Sequence, residues 1–332
     1  MAYQLEFTSL IRPSALDATF VRRYLSPMST TPILFDHSLL AKRRARALSR
    51  PGSMADASFL RDSANLDIAD RVGAVSRTFE HALNVDAVDD ELSRQLLATG
   101  QVKSVELSAD FKAAQIDTPC TANGDRLGGL PESAKHFDLI TSVLSLQFAN
   151  DLTGTLIQIR RALVPDGLFL GALIGGDTLI ELRQVLLQAE EEVVGGAAPR
   201  VLPFGEVRDV GALLQRAGFA LPVADIDTTK VRYSNPMRLL SDLRAMAATN
   251  ILSSGAKQPL RRAVLKRAME LYVQKFAEAD GKVPATFQII SLSGWAPHES
   301  QQKPLKPGSA KSRLAEALGV KEIETGQKPG ES

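Results

Sequence analysis

Short apolar strands alternate with segments of helical periodicity through the middle of the chain. The segment "FDLITSVLSL", which begins at Phe137, has the nearly continuous apolar run of a strand that is buried on both faces. The segment "NDLTGTLIQIRRAL" then repeats apolar residues at helical spacing, and after the turn "VPDG" the run "LFLGALI" is a second buried strand. This alternation predicts an α/β fold with a doubly wound, mostly parallel sheet.

Composition excludes several classes of protein. Lysine and arginine number 39 against 38 acidic residues, so the net charge of +1 gives no general attraction for nucleic acid. Cys120 is the single cysteine, which excludes an intramolecular disulfide and fits a reducing compartment. The longest apolar run, "LFLGALI", is far shorter than the roughly 18 to 20 residues that span a bilayer. We therefore expect no transmembrane segment and no nucleic-acid partner.

Patterning along the chain predicts four parts. Residues 1–31 are expected to be a disordered extension or a mis-called start, 32–78 an N-terminal helical region, 79–296 the sheet domain and 297–332 an extended tail. Within the first part, Met28 is the candidate natural start.

The first residues also bear on location. Several arginines could suggest a transit peptide, but Glu6 and Asp17 break the acid-poor composition of such segments. We therefore expect a bacterial-type cytoplasmic protein rather than one of the mitochondrial matrix. Farther along, the basic run of Lys42, Arg43, Arg44 and Arg46 is expected to be a solvated helix face, with a specific acidic partner as the alternative.

Several motifs resemble those of a known family. The stretch from Phe137 to Arg183 resembles the second half of class I S-adenosylmethionine-dependent methyltransferases. The segments "GGDTLIELR", "VRDVGALLQRAGF", "DGKVPATFQI" and "GWAPHESQQKP" resemble one branch of that fold, the mitochondrial complex I assembly factors called arginine hydroxylases and their bacterial counterparts. The resemblance covers about Pro32 to Leu318, most of the chain.

This resemblance implies a seven-stranded methyltransferase-like sheet, S-adenosylmethionine as a possible cofactor and a protein substrate such as a complex I subunit. It also implies hydroxylation of a protein arginine, the activity associated with the mitochondrial members. The malonyl-acyl-carrier-protein O-methyltransferases are a more distant relation, similar in the core but not in the "GWAPHES" end.

The loop that would hold the cofactor after the first strand has lost its glycines. Such folds place a "D-x-G-x-G" pattern there, because a Cβ would intrude on the cofactor. In this sequence Asn84 stands for the acid, Asp86 and Val88 for the first two glycines, and Asp90 for the third. The acidic side chains also offset the positive end of the following helix, which weakens its capture of an anion. Asn84 and Asp86 remain candidate cofactor contacts.

Other candidate cofactor contacts follow neighbouring strands. Glu106, at the end of the second strand, is the acid type that accepts hydrogen bonds from both ribose hydroxyls, and Asp125 could face the adenine amino group. Ser142 and Ser145, in a segment that ends at Gln147, would form the floor of the site. The alternatives are that the two acids are solvated loop residues and that the serines pack under the sheet.

Candidate acceptor contacts lie after the later strands. Gly175, Gly176 and Asp177 either line an acceptor pocket together with Asp151 or form a tight turn in which Asp177 caps a helix. His298, next to Glu299 in the branch-specific end, either lines a substrate cleft or belongs to a structural turn.

The remaining motifs are less specific. The four histidines, His37, His81, His136 and His298, lack metal-ligand spacing, so we expect no metal site, and no residue is identified as catalytic. We expect a methyltransferase-like enzyme of the complex I assembly branch with an unknown acceptor. The alternative is a non-catalytic assembly or binding protein on a degenerate methyltransferase scaffold.

Overall fold

The computed structural model describes residues 33–49, 57–107, 137–253 and 259–301. The chain divides into two compact units, Met1–Ala296 and Pro297–Ser332. Of the second unit only residues 297–301 are described. Asp125, Cys120, His136 and residues 1–32 lie outside the described residues, and the expected domain boundaries stay predictions.

One sheet organises the first unit. Its strands are β1 Ala82–Val85, β2 Val105–Leu107, β3 Phe137–Val143, β4 Leu163–Ile174, β5 Ala220–Tyr233 and β6 Val283–Trp295. They lie in the order β2-β1-β3-β4-β6-β5. The first four strands of that order run parallel, and β6 runs antiparallel to both β4 and β5. The resemblance implied seven strands; six are described, and residues 108–136 lie outside the described part.

Eight α-helices are described with the sheet. They are α1 His37–Leu48, α2 Phe59–Gly73, α3 Glu91–Ala98, α4 Leu152–Ala162, α5 Ile180–Val194, α6 Val207–Arg216, α7 Pro236–Ala245 and α8 Arg262–Phe276. A short 3₁₀ helix, Leu146–Phe148, follows β3. Gly218, which follows the C-terminal cap residue Ala217 of α6, has φ 83°, as a glycine at a helix end does.

Alternate strand residues pack on opposite faces of the sheet, as strand geometry requires. In β3, Leu139 packs in a core shared with α2, α3, α5, α7 and α8, whereas its neighbour Ile140 packs in a core shared with α4 and α6. Helices therefore cover both faces. The doubly wound, class I methyltransferase-like α/β fold is confirmed.

The motif "VPDG" does not separate α4 from the next strand, as the sequence predicted. β4 begins at Leu163 directly after α4, and Asp166 takes a φ of 63° within the strand. The pairing of β3 with β4 passes from Leu163, opposite Phe137, to Leu168, opposite Leu139, so the residues between them interrupt the pairing within the strand.

The helix α1 is anchored beside the carboxyl ends of the central strands. Asp36 caps it by accepting from the backbone N–H of Leu39 at 2.9 Å, and the N–H of Asp36 donates to the carbonyl of Ile251 at 2.8 Å. The side-chain oxygen of Asn150 accepts from the N–H groups of Leu34 and Phe35, both at 2.8 Å. These bonds fix the position from which α1 presents its inner face.

Candidate functional site

A cavity opens at the carboxyl ends of β3 and β4, the edge of an open α/β sheet where ligands bind. Its empty volume, which includes the opening to solvent, is about 950 Å³. The strand ends contribute Val143, Leu144 and Ile174. Helices α1 and α2 cover one side, and the end of α7 forms another.

The lining is mostly apolar. Its polar members among the described residues are Arg44, Ser58, Arg61, Gln147 and Thr178, and no carboxylate is among them. The apolar members include Phe148, Leu202, Phe204, Met246 and Phe287. The cavity therefore has an apolar body with a few polar groups, the usual composition of a small-molecule site.

Several residues around the cavity hold a backbone conformation that favours glycine. Leu144, Leu179 and Ala247 line it and have φ values of 48°, 57° and 55°. Asp86, directly after β1, has a φ of 53°. Left-handed backbone is uncommon for non-glycine residues and costs free energy, so the surrounding packing must hold these turns in place.

The degenerate cofactor loop is joined to α1 by an ion pair. The guanidinium of Arg44 donates to both carboxylate oxygens of Asp86, at 2.8 and 3.3 Å. The side chains of Arg44 and Asp86 are 11% and 9% exposed, so the pair is almost buried. Arg44 belongs to the basic run that was expected to be a solvated face, and that expectation was wrong for Arg44 because it turns inward.

The neighbouring Arg43 also turns inward. Its guanidinium donates to the carbonyl of Asn250. Burial lowers the pKa of Arg43, and the positive charge of Arg46 lowers it further. The basic run is thus divided, since Arg43 and Arg44 bind the protein itself whereas Lys42 and Arg46 remain on the outer side of the helix.

A second, more exposed ion pair joins α2 to the same loop. Arg61 lines the cavity and donates to Asp89 at 3.0 Å. Between the two paired acids, Val88 stands at the place of the second glycine and contributes to the cavity wall. A branched side chain thus occupies space that a glycine would leave open.

Three buried polar atoms near the carboxyl edge have no hydrogen-bond partner among the residues that the structure describes. They are Nε of Arg61, Oε1 of Gln147 and Oδ1 of Asn84. The first two belong to residues of the cavity wall, and Asn84 is the second-last residue of β1. Buried polar atoms normally have partners, so this set of one donor and two acceptors is consistent with a polar ligand at this edge.

The other predicted cofactor residues lie elsewhere. Glu106 is exposed in β2, opposite Leu83 of β1, and does not line the cavity. Ser142 and Ser145 are buried and share a hydrogen bond of 2.9 Å, which corresponds to the packing alternative. Cofactor contact by these residues and by Asp125 stays a prediction.

Gly175 and Gly176 form a turn in close contact with β6. A Cβ on Gly175 would stand 2.1 Å from Cδ1 of Ile290, and one on Gly176 would stand 1.9 Å from Oε1 of Gln288. Asp177 is exposed and is not the helix cap that was expected, because α5 begins at Ile180 after Leu179. The residues of this turn that line the cavity are Thr178 and Leu179.

Asp151 and His298 each have local partners. Asp151 caps α4 by accepting from the N–H of Gly154 at 2.8 Å, and it does not line the cavity. His298, in the second unit, has its Nδ1 2.7 Å from the hydroxyl of Ser300. Their roles toward an acceptor stay predictions.

Three polar residues of the cavity wall were not identified as site residues from the sequence: Arg44, Arg61 and Thr178. The only sequence signal was the spacing of Leu40, Arg44 and Ala47 on one helical face, which could have indicated that Arg44 points inward.

Metal and membrane features are absent from the residues that the structure describes. Within those ranges no group of three or more histidine, cysteine or acidic side chains is placed to hold a metal ion. No described helix is both long enough and apolar enough to cross a bilayer.

Comparison with known proteins gives relatives for nearly the whole chain. The mitochondrial arginine-hydroxylase NDUFAF5 of Danio rerio is 37% identical over 303 residues, which are 89% of this chain and 92% of that protein. The malonyl-[acyl-carrier protein] O-methyltransferase of Gallionella capsiferriformans is 32% identical and covers 51% of this chain and 55% of that protein. No family model matches the chain.

Among solved structures, the N-methyltransferase NodS of Bradyrhizobium japonicum is 12% identical, with a TM-score of 0.39 over 78% of this chain and 99% of that one. The family relationship rests on the sequence identity to the relative from Danio rerio rather than on this structural similarity.

The expected cytoplasmic location is wrong. The relatives from Danio rerio, Mus musculus and Homo sapiens are all mitochondrial by name, which points to the mitochondrion. The acidic residues near Met1 led to the wrong prediction, because charge pattern in so short a stretch is a weak signal of location. With relatives of more than 30% identity along most of its length, the chain belongs to the NDUFAF5 arginine-hydroxylase family of methyltransferase-like proteins.

Proposed function

We propose that this protein is a mitochondrial enzyme that binds S-adenosylmethionine at the carboxyl edge of its sheet and acts on an arginine of a partner protein in complex I assembly. The observation that carries the binding part is the cavity with unpartnered polar atoms at that edge. The choice of arginine as the target residue rests on the name of the relatives, arginine-hydroxylase.

The residues at the edge fit the polar groups of this cofactor. Nε of Arg61 is a buried donor without a partner, suited to the carboxylate of the methionine part. Oε1 of Gln147 is a buried acceptor without a partner, suited to an N–H group. When bound, S-adenosylmethionine supplies an activated methyl group. The apolar walls exclude water from the space beyond, toward Met246 and Phe287.

The acceptor end has a different character. No described lining residue is a carboxylate, so a guanidinium in the cavity would have no described counter-ion. The aliphatic part of an arginine side chain matches the apolar wall better than its charged end does. Arginine as the acceptor therefore has support from the relatives and not from the charge of the cavity.

Calorimetric titration with S-adenosylmethionine and S-adenosylhomocysteine tests the binding part. We expect micromolar affinity, about 8 kcal/mol of binding free energy, for the wild-type protein. Arg61→Met should weaken binding about tenfold or more. Arg94→Met is the matched control, because Arg94 is 66% exposed on α3 and away from the cavity wall, and it should bind like the wild type.

The absence of binding at millimolar ligand would contradict the enzyme proposal and favour the alternative, a non-catalytic assembly protein. If the cofactor binds, mass spectrometry of partner proteins from cells with and without the gene tests the acceptor. An arginine peptide heavier by one oxygen atom would support hydroxylation, and one heavier by a methylene group would support methyl transfer. An unchanged set of arginine peptides would contradict arginine as the acceptor.

A further inference from the structure

Asp86 takes a backbone conformation that glycine adopts without strain. It is the first residue after β1, and its φ of 53° lies in the left-handed region. Glycine adopts this region without strain, whereas other L-residues pay for the contact of their Cβ with the backbone. Aspartate and asparagine tolerate it better than most residues do. A residue other than glycine thus forms the left-handed turn after β1.

The side chain of Asp86 is bound by a residue from a distant part of the chain. Arg44 reaches it from α1 and binds its two oxygens with two nitrogens, a bidentate arrangement that fixes the plane of the carboxylate. Because α1 is itself held by Asn150 and Ile251, Arg44 is presented by a fixed helix. The carboxylate is therefore restrained from outside the loop.

The burial of the pair makes each partner depend on the other. With side-chain exposures of 11% and 9%, loss of one partner would leave an uncompensated charge away from water. Loss of both would leave no such charge. The neighbouring pair of Arg61 and Asp89 is more open, with exposures of 19% and 38%, and holds the loop less tightly.

We propose that the Arg44–Asp86 ion pair substitutes for the first glycine of the cofactor loop, so that Arg44 is a positioning residue that holds the loop in its left-handed turn. The part of this inference that concerns the cofactor rests on the proposed function. The part that concerns the turn does not.

Four variants of the full chain test the inference by thermal unfolding. Arg44→Met should lower Tm by about 6 °C or more, because the buried carboxylate of Asp86 loses the guanidinium that faces it. The double variant Arg44→Met with Asp86→Gly should recover most of that loss, because glycine takes the turn without strain. Arg44→Met with Asp86→Ala should melt about 2 to 4 °C below the glycine double variant, because its Cβ remains in the left-handed turn. Asp86→Gly alone should melt below the glycine double variant, because it leaves Arg44 unpaired.

The order of the two double variants is decisive. Alanine normally stabilises a chain relative to glycine by restricting the unfolded state, so an alanine variant that melts at or above the glycine variant would overturn the inference and leave the pair as a simple anchor for α1.

Affinity for S-adenosylmethionine is the second readout. The alanine double variant should bind about tenfold more weakly than the glycine double variant, because both lack Arg44 and differ only at residue 86. If the wild type does not bind, the proposed function fails while the melting order still decides the turn.

Discussion

Gly175 and Ile290 lie so close that no side chain fits between them. A Cβ added to Gly175 would stand 2.1 Å from Cδ1 of Ile290 and 2.9 Å from the carbonyl oxygen of Gly205. The contact joins the carboxyl end of β4 to β6 directly in front of Thr178 and Leu179, two residues of the cavity wall. Close packing against Ile290 and Gly205 therefore explains why residue 175, at the edge of the site, is a glycine.

Gly175→Ala should destabilise the fold by about 1 to 3 kcal/mol, because the backbone oxygen of Gly205 cannot move away as a side chain can. Urea unfolding measures the change. Gly196→Ala is the control, since a Cβ on Gly196 meets nothing within 4 Å. Equal stability of the two variants would show that the contact between β4 and β6 is looser than described.

Val88→Gly should strengthen binding of S-adenosylmethionine, because it returns the second glycine of the loop and removes a branched side chain from the cavity wall. We expect a gain of up to about tenfold in affinity, with Val88→Ala intermediate. Titration of each variant checks this order. Weaker binding by the glycine variant would mean that Val88 contacts the ligand favourably.

Glu190→Gln should lower the free energy of unfolding by about 2 kcal/mol or more, because Glu190 is a buried carboxylate held by three nitrogens of two residues. It accepts from Nε and Nη2 of Arg200 and from the N–H of Ala198, each at 2.7 Å. These bonds hold the segment that leads to Leu202 in the cavity wall. Chemical denaturation measures the change.

The control for that variant is Glu192→Gln on the same helix. Glu192 is exposed and pairs with Arg267, and the side-chain hydrogen bond from Arg267 lowers its pKa. A solvent-exposed pair contributes little to stability, so this variant should unfold like the wild type. A larger loss at Glu192 than at Glu190 would contradict the assignment.

Alkaline pH should destabilise the fold through Tyr233 and Tyr272. Burial raises the pKa of both phenols above the ordinary value of 10.0, and the negative charges of Asp242 and Glu181 add to the effect at Tyr233 and Tyr272 respectively. The unfolded chain therefore loses these protons near pH 10 while the folded protein keeps them. The stabilisation is complete below about pH 10 and is lost as pH rises further.

Denaturation in a series of buffers from about pH 8 to pH 11 measures this slope. The variant with Tyr233→Phe and Tyr272→Phe should show a shallower fall above pH 10, although Tyr272→Phe also loses the hydrogen bond of 2.9 Å to the carbonyl of Pro284. An identical slope in the variant would show that other groups cause the alkaline loss.

The sequence predicts most of this fold because its strands and helices have strong local patterns. The apolar run of β3 and the helical spacing of α4 can be recognised from each segment alone, and the structure contains both elements. The "VPDG" segment was misread because its proline, aspartate and glycine are common in turns, whereas hydrogen bonds of Asp166 and Gly167 with Ala296 hold it within β4.

The candidate site is less visible in the sequence, because three of its five polar lining residues, Arg44, Ser58 and Arg61, come from the region before the sheet. Arg44 and Asp86 are 42 residues apart, and no local pattern joins them. Asp177 looks like a cap by spacing, but Gln288 of β6 accepts from its N–H at 2.7 Å, and the turn continues to Leu179 before α5 begins. Tertiary contacts decide both cases.

A crystal structure with S-adenosylhomocysteine tests the central claim most directly, because it shows whether the altered loop still belongs to a cofactor site. We predict density for the ligand at the carboxyl edge of the sheet, with its carboxylate against Arg61 and an N–H group against Gln147. The account would be contradicted by a crystal grown at saturating S-adenosylhomocysteine that shows no ligand there and in which the side chains of Arg61 and Gln147 form hydrogen bonds with the protein itself.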